Sequence, residues 1–95
     1  MSAYLVFTRE EILEPSELAL YKEMVVPTLG TFELKILAAY GAHEVLEGAP
    51  TEGVVIVEFP TVELAKAWYT SPAYEAARAH RFKGAKYRCI LVQCV

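Results

Sequence analysis

The chain has 95 residues, 55% of them hydrophobic, with a formal net charge of −3. That length is one domain, residues 1–95, and the mild acidity excludes the basic footprint a nucleic-acid binder needs to displace counterions. No apolar run reaches the roughly 18 residues of a membrane span, and MSAYLVFTREE lacks the basic start and long apolar core of a signal peptide, so a cytoplasmic protein is expected.

Ala3 to Thr8 is rich in strand formers and reads as a first strand, with the charged Arg9 to Glu11 ending it. Ala3, Leu5 and Phe7 fall on one face and Tyr4, Val6 and Thr8 on the other. Pro15 or Ser16 opens a first helix, because a proline in the first turn lacks only an N–H that would have no partner there. Leu18, Tyr21, Val25, Leu29 and Phe32 form its apolar stripe. Pro27 is expected to kink this helix or end its first segment.

Lys35 to Tyr40 is a second strand, Ala42 to Leu46 continues extended to a turn at Glu47-Gly48, and Gly48 to Gly53 is a loop. Val54 to Phe59 is a third strand, stopped by Pro60. Thr61 is placed to cap a helix that carries Leu64, Ala65, Trp68 and Tyr69. Ser71-Pro72 restarts it, with Ser as cap and Pro in the first turn, and Gly84 ends it. Tyr87 to Val95 is the last strand. Cys89 and Cys94 lie five positions apart on it, on opposite faces and about 17 Å from each other, too far for a disulfide.

The order β-α-β-β-α-β describes an α+β, ferredoxin-like fold, a four-stranded antiparallel sheet with helices on one face, in which residues 1–48 and 53–95 are structural half-repeats. Three of the strands are apolar on both faces. The helices cover one face, and the other predicts a homodimer through stacked sheets.

The run VIVEFPTVELAKAWYTSPAYEAARAHR, with YKEMVVPTLG before it and EVLEG between, resembles the small bacterial family catalogued as "domain of unknown function 1330". Its most specific part is Glu58-Phe59-Pro60, Trp68-Tyr69, Ser71, Tyr74 and Arg81. The resemblance implies membership of the dimeric α/β-barrel superfamily, whose fold is shared by polyketide cyclases, muconolactone isomerases, and cofactor-free and haem-degrading monooxygenases. It also implies a cavity between helices and sheet. The chain departs from its relatives where they carry Gly pairs around the second strand, since it has Glu33-Leu34 and Tyr40-Gly41 there.

The candidate site residues follow from that implied cavity. His43 is a general acid or base, or a surface residue at a strand edge. Tyr74 orients a reacting oxygen, or is a core tyrosine with one hydrogen bond. Tyr4, Tyr21, Tyr40, Trp68, Arg78, His80 and Arg81 are the substrate-binding candidates, each with a packing alternative. Glu58, on an apolar strand face, is expected to pair with Arg81 or Arg88, the alternative being a catalytic carboxylate.

All twelve acids are Glu, which leaves no Asp or Asn for a triad or a calcium loop. No P-loop, GxSxG, GxGxxG or CxxC occurs, and neither a metal nor another cofactor is expected. The function these residues suggest is a small cofactor-independent enzyme of the cyclase or isomerase type, acting on an aromatic, polyketide-like or unsaturated carbonyl substrate. The alternatives are a cofactor-free monooxygenase and a non-catalytic dimer that binds a small apolar or aromatic ligand.

Overall fold

The computed structural model describes residues 1–95. Its elements are β1 (Ala3–Ile12), α1 (Pro15–Leu29), β2 (Lys35–Ala39), β3 (Gly53–Phe59), α2 (Val62–Tyr69), α3 (Pro72–Gly84) and β4 (Ala85–Gln93). The four strands form one antiparallel sheet in the order β2-β3-β1-β4. This is the expected ferredoxin-like arrangement, with the second helical region divided in two at Thr70-Ser71.

Local chemistry accounts for that division. The Thr61 hydroxyl accepts the Leu64 N–H at 3.1 Å and starts α2, as a threonine N-cap should. The Ser71 hydroxyl accepts the Tyr74 N–H at 3.4 Å and starts α3, with Pro72 in the first turn. Neither cap depends on distant residues. By contrast, α1 begins at Pro15 with Glu14 as its cap residue and no side-chain cap bond.

Three expectations are corrected. β1 does not stop at Thr8 but runs to Ile12, because Arg9, Glu11 and Ile12 keep pairing with β4 across a bulge. A strand edge needs backbone partners rather than apolar side chains, so charge did not end it. α1 carries Pro27 in its last turn and ends at Leu29, short of the Phe32 expected on its stripe. So close to the end of the helix, proline removes a single backbone bond, and the Thr28 hydroxyl donates to the Val25 carbonyl at 2.6 Å. Phe32 is therefore not a helix residue, although it still packs on the core from the loop. Ala42 to Leu46 forms no strand, and Tyr40 to Glu52 is an excursion between β2 and β3.

Alternation along the strands divides the sheet as anticipated. Leu5, Phe7, Val57 and Phe59 face the helices and are buried with Ala65, Trp68, Tyr74 and Ala77. The other face carries Val6, Val54 and Ile56, half-buried, and Ile90 and Val92, which are 44% and 47% exposed. Cys89 and Cys94 are both free and half-buried. No helix is long and apolar enough to cross a membrane.

Candidate active site

The stripe on α1 places Tyr21, Val25 and Leu29 over the sheet, where they meet Phe7, Val55, Val57, Trp68, Ile36 and Ala39 around a cavity of about 150 Å³. Tyr40 and Tyr87 complete its lining. Tyr21, Val25, Ala39, Tyr40 and Tyr87 also line a wider cleft of about 670 Å³, to which Arg9, Pro15, Leu18, Ala19 and Lys22 contribute. The two spaces share a wall and form an apolar chamber with an open vestibule, of the kind that takes a small ligand.

The chamber is apolar except for its tyrosines. The Tyr21 and Tyr74 hydroxyls share a hydrogen bond of 3.0 Å, and those of Tyr40 and Tyr87 share one of 2.6 Å. Tyr74 itself is fully buried and does not line the chamber; its hydroxyl meets the lining only at Tyr21. Trp68, which lines the chamber, is stacked on the Tyr74 ring at 3.9 Å between centroids. The Trp68 indole donates to the Thr28 hydroxyl at 3.2 Å, which satisfies its one polar atom.

Tyr40 is held unusually. Its φ is +56°, in the left-handed region that a bulky residue seldom adopts. Its ring lies against Gly53, where a Cβ would come within 2.5 Å of a Tyr40 ring carbon. The glycine thus leaves room for the ring. From above, the Arg9 guanidinium stacks at 4.4 Å from the ring centroid. Strained backbone of this kind concentrates at functional sites.

Arg81 is 2% exposed, and its Nε and one terminal nitrogen lack any hydrogen-bond partner. Its guanidinium sits 5.1 Å from the Phe7 ring centroid, 5.0 Å from that of Tyr87 and 5.2 Å from that of Phe82. Phe7 and Tyr87 are chamber walls, so a desolvated cation lies directly behind the lining.

These surroundings set the protonation of the tyrosines. Burial raises Tyr21 well above the ordinary phenol range, with Tyr74 adding to the effect and Arg81 opposing it. Burial likewise raises Tyr40, opposed by Arg9. Tyr74 is pushed up to about 12 by burial, against the pull of Arg81. At physiological pH these three hydroxyls are neutral donors, with cations placed to favour any negative charge that develops beside them.

Trp68, Tyr21, Tyr40, Tyr74 and Arg81 are thus gathered at or just behind one chamber. The other anticipated residues are not. His43 is exposed on the loop after β2, with its ring nitrogens 2.8 Å from the Thr51 carbonyl oxygen and 3.4 Å from that of Gly41. It lines neither the chamber nor the vestibule, so the structure places it as the surface residue that was the alternative to a general acid or base. His80 binds the Glu17 carboxylate at 2.5 Å and ties α3 to α1. Arg78 donates to the Tyr69 carbonyl at 3.1 Å and covers its ring, bracing the α2–α3 junction. Tyr4 is on the opposite face of the sheet, where Cys94 and then Glu58 hold its phenol above the ordinary range.

Glu58 is on that opposite face too, paired in register with Tyr4 and Lys35, and it makes no ion pair within the chain. The expected bridge to Arg81 fails because the sheet separates them. No three His, Cys or Glu side chains converge as a metal site.

Arg9 and Tyr87 belong to the site and were not among the sequence candidates. Arg9 lies two residues after Phe7, so strand alternation carried past Thr8 places it on the helix face. Reading its charge as the end of the strand hid it.

A family model described as "Domain of unknown function (DUF1330)" matches residues 2–95. The chain belongs to that family. No curated protein matches it by sequence. Among solved structures, a protein of unknown function from Rhodopseudomonas palustris superposes with a TM-score of 0.73 at 19% identity, covering 99% of this chain and 82% of that one. A dimeric ferredoxin-like protein of unknown function from Thermobifida fusca gives 0.67 at 11% identity, covering 99% and 92%. SnoaB, a cofactor-independent oxygenase from Streptomyces nogalater, gives 0.62 at 7% identity, covering 99% and 93%. At these identities the shared property is the fold.

Proposed function

We propose that this member of the family is a small enzyme that needs no cofactor and stabilises the enolate or phenolate form of an aromatic, polyketide-like or unsaturated carbonyl compound, in cyclase or isomerase chemistry. The observation that carries the proposal is the chamber itself, whose apolar walls bear neutral tyrosine hydroxyls backed by an unpaired, desolvated Arg81.

The chemistry follows from these groups. A planar substrate fills the apolar space. Its carbonyl oxygen takes over the donor capacity of Tyr21 or Tyr40, whose hydroxyls otherwise bond to those of Tyr74 and Tyr87. The C–H bond next to the carbonyl breaks, its proton passes to water, and the electron pair moves onto the oxygen. Tyr21 and Tyr40 donate to that oxyanion, with the buried Arg81 supplying charge behind the lining in a medium where it is poorly screened. Reprotonation at a different carbon completes an isomerisation. No ordinary base lines the chamber, so the substrate must be acidic in itself, as a β-dicarbonyl or a phenol is.

Hydrogen–deuterium exchange at the acidic carbon of a β-dicarbonyl probe tests this directly. Catalysed exchange is expected, slowed about 10²-fold or more when Tyr21 or Tyr40 becomes Phe, the effect of removing one oxyanion donor. Exchange at the buffer rate would contradict it. A cofactor-free monooxygenase is the second reading, favoured by the fold shared with SnoaB, and oxygen uptake with a hydroquinone distinguishes it.

The protein is further proposed to act as a homodimer with its outer sheet faces stacked. The half-exposed Ile90 and Val92 and the dimeric state named for the Thermobifida fusca neighbour support this.

A further inference from the structure

The chain carries twelve Glu against nine Lys and Arg, yet the chamber and its vestibule are lined by no acid at all. Their charged lining residues are Arg9 and Lys22, both at the vestibule. Neither takes part in an ion pair. The Arg9 Nε is buried and has no hydrogen-bond partner, although its guanidinium sits over the Tyr40 ring, which lines both vestibule and chamber. A cation held against an aromatic ring, with no carboxylate in ion-pair contact, is preorganised for an anion that the protein does not itself supply.

We propose that Arg9 is a specificity residue, and that the ligand is an aromatic or unsaturated carboxylate. Its carboxylate docks on Arg9 at the chamber mouth, with Lys22 adding charge, while its hydroxyl or carbonyl end reaches the tyrosines. This rests on the reading of the chamber as the ligand site and adds the chemical class of the ligand. The geometry fixes the polarity of binding: a desolvated oxyanion inside, a permanent anion at the entrance, and a flat apolar body between them. It also gives the otherwise strained Tyr40 a purpose, because its ring is the platform that holds the Arg9 fork.

The test uses the matched probes para-hydroxybenzoate and its methyl ester, titrated into the full chain by calorimetry. The wild type is expected to bind the carboxylate about tenfold more tightly than the ester, the order of a charge-assisted hydrogen bond, with the preference shrinking as salt is added. Arg9→Gln should remove the preference, with an unchanged circular dichroism spectrum and thermal midpoint showing that the chamber remains folded. Arg9→Lys should retain part of it. If carboxylate and ester bind equally to the wild type, the carboxylate assignment is overturned while the chamber keeps its role. If neither probe binds, the chamber is not a site for such ligands, and the assignment falls with it.

Discussion

The two faces of the sheet are built from the same kinds of residue and are covered differently. On the helix side, Leu5, Phe7, Val57 and Phe59 are buried under α1, α2 and α3. On the outer side, Val6, Val54, Ile56, Ile90 and Val92 are equally apolar and only partly covered. The helix face is also incompletely filled, but its gap is framed by tyrosine hydroxyls and arginines, whereas the outer face has a broad apolar surface. An apolar surface without built-in donors suits a second sheet, while an apolar hollow with oriented donors suits a small molecule. The difference lies in the polar groups rather than in hydrophobicity.

The predictions probe that contrast. The largest effect is expected from Trp68→Ala, which removes the partner of Phe7, Phe59 and Tyr74 and should cost about 3–5 kcal/mol in denaturant unfolding. On the outer face, Ile90→Lys should convert a sedimenting dimer to monomer through repulsion and desolvation at the stacked sheets, while leaving ligand binding in the chamber intact. A wild-type protein that sediments as a monomer at micromolar concentration would remove the assigned role of this face.

Gly53→Ala should cost about 1–3 kcal/mol, the scale of local strain, because the new methyl collides with the Tyr40 ring. It should also loosen the Arg9 platform and weaken ligand binding, read by calorimetry. Alkaline titration isolates the tyrosines. Tyr74 is raised from 10.0 to about 12, so the folded state holds its proton more tightly than the unfolded one. Its contribution is complete below pH 10 and is lost as pH rises towards 12. Tyrosinate absorbance should therefore lag behind that of free tyrosine and then rise together with loss of circular dichroism; Tyr74→Phe should weaken this coupling. The smallest effect belongs to His43→Ala, within about 0.5 kcal/mol as for a surface position, with activity unchanged.

Much of the fold was legible because its punctuation is local. Thr61, Ser71-Pro72 and Gly84 act through their own backbone neighbourhoods, and alternation in Val54 to Phe59 needs no partner to be read. The site was legible only in part. Tyr21, Tyr40, Trp68, Tyr74 and Arg81 could be nominated by type and family pattern, but their pairing across 47 and 53 positions of sequence is a tertiary fact. Arg9 was missed because a charged residue in a strand looks like its end, although hydrogen bonding along β4 continues past it. His43 attracted notice for its chemistry, and the loop that carries it leads away from the chamber. The left-handed Tyr40 gave no sequence signal, since neither its type nor its neighbours favour that conformation.

On the proposed reading, the chamber favours a bound anion over its neutral acid. The most direct test is the ionisation of para-nitrophenol bound to the protein, followed by the colour of the phenolate. The bound phenol should ionise at a lower pH than the free one, and Arg81→Met or Tyr21→Phe should reverse the shift. An increase on binding to the wild type, as a merely apolar cavity would impose, would contradict it.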